Sequence, residues 1–171
     1  MTAQQQVTVK TAAAMRALGR RLAGLLRAGD LVILSGSLGA GKTTLVQGIG
    51  EGLGVRGPVT SPTFVIARIH PSLAGGPDLV HADAYRLAGP AEVDDLDLDE
   101  AMDSSVTVVE WGGGLAEGLA ADRLEVSITP LVDAAGPDTE TRSVHIAGHG
   151  GRWNEVGDSA FLALSGAPEG L

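Results

Sequence analysis

The chain of 171 residues has no cysteine, so neither disulfides nor thiolate metal sites contribute to its fold or chemistry. A cytoplasmic location agrees with that lack. Aromatic rings are scarce, with two Trp, two Phe and one Tyr, which leaves few of the stacking platforms on which single-stranded RNA is usually held. Basic residues are outnumbered: 12 Lys and Arg stand against 21 Asp and Glu, for a net charge of −9. Neutralisation of phosphates by Lys and Arg supplies most of the affinity of nucleic-acid-binding surfaces, so this balance points to nucleotides and proteins as partners. No apolar run approaches the roughly 20 residues that span a bilayer, and the polar start from Met1 to Gln6 lacks the basic region and apolar stretch of a signal peptide. The 44% of apolar residues that remain suffice for one domain over residues 1–171. Its core is expected over about residues 7–148, with a tail at 149–171 that is loosely structured apart from a turn of helix through Trp153 and the Phe161-Leu162 pair.

Glycine, by contrast, is plentiful and placed with purpose. The stretch Gly36-Ser37-Leu38-Gly39-Ala40-Gly41-Lys42-Thr43-Thr44 follows the apolar run Leu31-Val32-Ile33-Leu34 and precedes Leu45-Val46-Gln47-Gly48-Ile49, which reads as strand, glycine-rich loop, helix. The pattern G-x-x-x-x-G-K-[ST] is complete at Gly36, Gly41, Lys42 and Thr43, in the strand-to-helix setting that gives it meaning. Glycines let the backbone curl so that successive N–H groups converge on a phosphate, and the following helix adds the positive end of its dipole. Lys42 supplies a point charge to the β- and γ-phosphates, and the Thr43 hydroxyl is expected on Mg²⁺, which keeps most of its waters.

Around this loop the chain alternates strands and helices. Val7 to Val9 reads as a short strand, and Thr11 offers an N-cap to a helix with Met15, Leu18, Leu22, Leu25 and Leu26 at helical spacing, ended by Gly29. The helix after the loop runs to about Gly52 before Gly54 and Pro58 break it. Strands are expected at Val65–Ile69, Leu79–Arg86 and Val106–Trp111, separated by a loop over 71–78 and an acidic helix over Ala91–Met102. A short helix is expected around Leu115–Ala120, then an antiparallel hairpin from Arg123–Ile128 and Arg142–Ile146. The fold class is α/β: a P-loop type, mainly parallel central sheet flanked by helices on both faces, with an antiparallel hairpin at one edge.

A phosphate-loop enzyme also needs an acid opposite the loop, to fix Mg²⁺ and to orient the attacking group. Glu110 and Asp83 both stand at expected strand ends, where an open parallel sheet presents its ligands. His81 and Asp83 alone fall short of a metal site's usual ligand count, so His81 reads as a structural or supporting residue. Asp95, Asp97 and Asp99 imitate a calcium loop, but Glu100 occupies the glycine position and Val106 that of the bidentate Glu. The D-x-x-G run from Asp133 to Gly136 comes after Glu110 and between two hairpin strands, and no N-K-x-D guanine reader occurs in the chain. Asp133 to Pro137 therefore reads as a turn, and ATP as the nucleotide.

The loop, Ser61-Pro62-Thr63-Phe64, His81-Ala82-Asp83-Ala84-Tyr85-Arg86 and Glu110-Trp111 stand in the same order as in the TsaE family, which the chain resembles over roughly Thr11–Gly148. The resemblance implies a minimal P-loop ATPase that serves bacterial threonylcarbamoyladenosine synthesis on tRNA. It implies ATP held by Gly36, Ser37, Leu38, Gly39, Ala40, Gly41, Lys42, Thr43 and Thr44, and Mg²⁺ held by Thr43 and Glu110. It further implies a Walker-B-like role for Asp83, a switch-like loop carrying Thr63 near the γ-phosphate, and Trp111 beside the nucleotide. Thr11 and Arg142 match positions close to the nucleotide. The implied partners are TsaD and TsaB, with tRNA reached only indirectly. The chain departs from the family pattern at Ser37, where an acid is common, at His70, where tyrosine is usual, and at Gly112-Gly113-Gly114 after Glu110-Trp111.

The expected reaction is Mg²⁺-dependent hydrolysis of ATP to ADP and phosphate, with Lys42 and the backbone of Gly39 to Thr44 stabilising the phosphates and Asp83 or Glu110 orienting water. Two alternatives stand beside it. One is a small-molecule kinase in which Asp83 deprotonates an acceptor, although the chain has no arginine-dense lid. The other is a nucleotide-dependent binding switch with little turnover, docking through the acidic helix.

Overall fold

The computed structural model describes residues 3–36, 41–55, 57, 67–83, 104–110, 122–133 and 136–165. Strands β1 (Ala3–Val9), β2 (Leu31–Gly36), β3 (Ala67–His70), β4 (Asp78–Asp83), β5 (Ser105–Glu110), β6 (Arg123–Asp133) and β7 (Gly136–His149) form one sheet in the order β1-β7-β6-β2-β5-β4-β3. The four middle strands β6, β2, β5 and β4 are parallel, while β7 and β3 add antiparallel. The hairpin of β6 and β7 thus closes one side of the parallel sheet as expected, and β1 lies outside it, paired with β7. Asp133, the last residue of β6, pairs with Gly136, the first of β7, so both ends of the D-x-x-G run belong to the hairpin strands.

The central strands carry their apolar residues on both faces, as strands buried from two sides do. On one face Val32, Leu34, Leu79, Val106, Val108, Leu124, Val126, Val144 and Ile146 meet helices α1 (Ala12–Ala23), α2 (Lys42–Leu53) and α3 (Gly151–Leu162). Leu31, Ile33, Val80 and Val109 alternate with them and are buried as well. The helices expected over 91–102 and 115–120 lie outside the described residues. No helix among the described residues is long and apolar enough to cross a membrane.

Helix α1 begins as its sequence dictates: Thr11 is the N-cap, its Oγ1 accepting from Ala14 N at 3.0 Å. Met15, Leu18 and Leu22 form its buried stripe, and the helix ends at Gly24, one turn before the expected Gly29. α1 crosses α2 at Gly19 and Gly48. A Cβ on Gly19 would strike Leu45 O, and one on Gly48 would strike Arg16 O, so the two backbones touch. Across the exposed rim, Arg16 and Arg20 both reach Glu51.

The C-terminal segment corrects the expectation of a loose tail. Residues 151–162 form α3, a 3-10 turn follows at Ala163–Ser165, and Trp153, Phe161 and Leu164 belong to the main core. Trp153, Val156, Phe161 and Leu164 keep helical spacing, but Gly150, Gly151 and Gly157 weaken the helical signal of the segment, and Gly157 (φ 80°) kinks the helix. The Trp153 and Phe161 rings meet edge to face at 6.1 Å between centroids. Arg152 fastens the helix to the turn before β2: its guanidinium bonds Asp30, donates to Leu25 O at 2.6 Å, and lies over the Trp153 ring. Strand β1 is also longer than expected. Its glutamines are held by β7, with Gln6 Nε2 donating to Ser143 Oγ at 2.7 Å and Gln4 Oε1 3.0 Å from His145 Nε2.

Candidate functional site

Strand β2 delivers the glycine-rich loop at Gly36, and α2 starts at Lys42. Gly41, the residue before that helix, has φ 107° and ψ 15°, a left-handed conformation that glycine adopts without penalty. A Cβ there would also come within 3.2 Å of the Met15 Cε, so α1 supports the loop from beneath. The first helical bond runs from Leu45 N to Gly41 O. The N–H groups of Thr43 and Thr44 therefore find no acceptor within the helix and stand at its positive end, available to an anion. Lys42 is buried, and its Nζ donates to Gly36 O at 2.9 Å, joining the two ends of the loop. Ser37, Leu38, Gly39 and Ala40 lie outside the described residues.

The register of the sheet gathers the acids beside the loop. Leu34 of β2 pairs with Glu110, and Glu110 pairs with Asp83, so the two acids end neighbouring strands at the edge from which the loop departs. Glu110 is only 5% exposed. Its Oε1 lies 3.3 Å from Nε2 of His81, which is fully buried, yet neither atom makes a hydrogen bond of acceptable geometry among the described residues. A buried carboxylate with an unsatisfied oxygen calls for a positive or donating partner. The other oxygen of this carboxylate suits Mg²⁺, a hard cation that takes one or two carboxylates together with phosphate oxygens and water. Glu110 and the Thr43 hydroxyl in the first turn of α2 are the residues that would hold it.

On the other side of β2, Gly36 pairs with Ile128, Ile128 with Val144, and two residues further on Pro130 pairs with Arg142, itself the partner of Val9. Arg142 is half-buried and donates to its neighbour's carbonyl, Thr141 O, at 3.1 Å. Val9 leads within two residues to Thr11. The fold thus brings Thr11, Arg142, Lys42, Thr43, Thr44, Asp83 and Glu110 to one edge of the sheet. Thr63 and Trp111 lie outside the described residues. Sequence reasoning placed Met15 in the core but missed its seat under Gly41, and it missed the contact between His81 and Glu110. The alternation of His81 with Asp83 carried a signal for the second, once β4 and β5 are known to be neighbours.

At the opposite edge, Glu125 accepts from Arg123 Nε at 2.9 Å and meets His149 Nε2 at 3.1 Å. Partial burial opposes its charge, but the Arg123 hydrogen bond and the charges of His149 and Arg123 prevail and hold the carboxyl below its ordinary pKa.

A central parallel strand running into a complete G-x-x-x-x-G-K-T loop, with acids at the ends of the next two strands on one side, defines a P-loop type α/β protein. The chain belongs to the TsaE family: residues 9–135 match the family described as "Threonylcarbamoyl adenosine biosynthesis protein TsaE". It is 65% identical over 152 residues to the tRNA threonylcarbamoyladenosine biosynthesis protein TsaE of Streptomyces coelicolor, covering 87% of this chain and 99% of that one. The protein of the same name from Bacillus subtilis is 40% identical over 66% of this chain and 70% of its own length. Among solved structures, the crystal structure of Bacillus subtilis YdiB superposes with a TM-score of 0.73 at 28% identity, over 94% of this chain and 95% of that one.

Proposed function

We propose that the chain is a Mg²⁺-dependent P-loop ATPase that serves tRNA threonylcarbamoyladenosine synthesis in the cytoplasm, hydrolysing ATP to ADP and phosphate. Family membership supports the pathway. The observation that carries the chemistry is the register of Glu110 and Asp83 beside the strand that ends in the loop, next to a buried Lys42.

In this reading the N–H groups at the start of α2 and those of Ser37 to Gly41 cradle the phosphates, and Lys42 exchanges its bond to Gly36 O for the β- and γ-phosphate oxygens. Mg²⁺ held by Thr43 and Glu110 would neutralise charge that develops on the phosphoryl oxygens. Asp83 or Glu110 orients the attacking water. Thr63 and Trp111 contact the nucleotide, and Thr11 and Arg142 border it from the β1 and β7 side. The partners are the TsaD and TsaB subunits, which the hydrolysis resets between rounds. TsaD performs the transfer itself, and tRNA meets this chain only indirectly.

The test is phosphate release from ATP and Mg²⁺ by the purified chain, alone and with TsaD and TsaB. Slow release that rises when the partners are added supports the reading. Transfer of phosphate to an added alcohol or nucleoside, with no reaction with water, would replace it with a small-molecule kinase.

A further inference from the structure

His81 lies on β4 as the register partner of Val108 and two residues before Asp83, which puts it one diagonal step from Glu110 on the same face of the sheet. Both side chains are buried, at 0% and 7% exposure, with His81 Nε2 3.3 Å from Glu110 Oε1. Leu34, Leu79, Val106 and Val108 around them on this face are apolar, while Asp83 is the register partner of Glu110 and Arg68 that of His81. An imidazole always has at least one N–H to place. Among the described residues neither ring nitrogen has a hydrogen-bond partner, and neither does Glu110 Oε1. Distance therefore suits a hydrogen bond between the two, while the angle does not. The terminal torsion of a glutamate is soft, so a turn of the carboxylate about its last bond completes the pair without moving the backbone.

We propose that His81 is a positioning residue for Glu110. Its Nε2–H takes Oε1 and fixes the plane of the carboxylate, so that the second oxygen faces the Mg²⁺ held with Thr43. The inference rests on the ATPase reading above. It assigns His81 no contact with nucleotide or metal and no proton transfer. Hydrogen-bond partners that orient a ligating side chain commonly change metal affinity without being ligands themselves.

The experiment compares His81→Gln, whose amide N–H can reach where Nε2 stands, with His81→Asn, which is polar but too short, and with His81→Leu, which fills the space without a donor. Mn²⁺ binding to the ADP-bound chain is followed by electron paramagnetic resonance, and affinity for a fluorescent ATP analogue is measured in excess EDTA. The Leu and Asn variants are expected to bind Mn²⁺ about 10–100-fold more weakly than the parent. The Gln variant should recover most of that loss, and nucleotide affinity in EDTA should be unchanged in all three. The contrast between Gln and Asn stands even if the Leu variant fails to fold. Parent-like Mn²⁺ affinity in the Asn and Leu variants overturns the proposal while leaving the ATPase reading intact. So does equal weakening in all three with parallel loss of nucleotide affinity in EDTA, which marks His81 as a core residue only. A parent chain that binds no Mn²⁺ in the presence of ADP overturns both.

Discussion

Gly19 and Gly48 lie where α1 and α2 cross, so close that a methyl group on either would enter the backbone of the other helix. This contact joins the helix that seats Met15 under Gly41 to the helix that carries Lys42 and Thr43. Replacing Gly48 by Ala would gain about 1 kcal/mol if helix propensity alone decided. The crossing predicts the opposite sign, a loss of about 1–3 kcal/mol from overpacking in urea unfolding. A variant as stable as the parent would mean that the helices do not pack backbone to backbone.

The C-terminal helix is expected to be part of the folding unit. Phe161 is fully buried against Trp153, and Phe161→Ala should cost about 3–5 kcal/mol in the same measurement. A change within the scatter of surface substitutions would restore the loose tail.

Glu125 sets a small pH dependence. Its folded pKa lies below the ordinary value, so the stability it contributes is present above the unfolded glutamate pKa, about 4.3, and is lost as pH falls through the folded value. Glu125→Gln should therefore be less stable than the parent at pH 7, by at most about 1 kcal/mol as for other partly exposed pairs. The two melting curves should converge in acid. A gap that widens as pH falls would reverse the assigned sign.

Much of the fold was legible in the chain because local chemistry decides it. Thr11 caps α1, the β-branched run before Glu110 is a central strand, and alternation marks the hairpin. The loop and the two acids could be picked out for the same reason, each being a residue type tied to a strand or helix end. What the chain concealed depends on long-range pairing. The order of strands, which makes Asp83 and Glu110 partners, has no local signature. Neither does the contact of His81 with Glu110, which needs β4 beside β5, nor β1 beyond Val7, whose glutamines are ordered by β7. Of α3 only a turn through Trp153 and Phe161-Leu162 was legible, because Gly150, Gly151 and Gly157 weaken the helical signal of a segment whose Trp153, Phe161 and Leu164 all enter the core.

The central claim is that Lys42, Thr43 and Glu110 turn over ATP with Mg²⁺. It is tested most directly by phosphate release from the parent chain and from Lys42→Ala, each with TsaD, TsaB, ATP and Mg²⁺. The parent is expected to release phosphate only when Mg²⁺ is present, and the variant to fall by at least about 10²-fold, the scale of losing a main electrostatic stabiliser of the transition state. Phosphate release by Lys42→Ala at the rate of the parent would contradict the account.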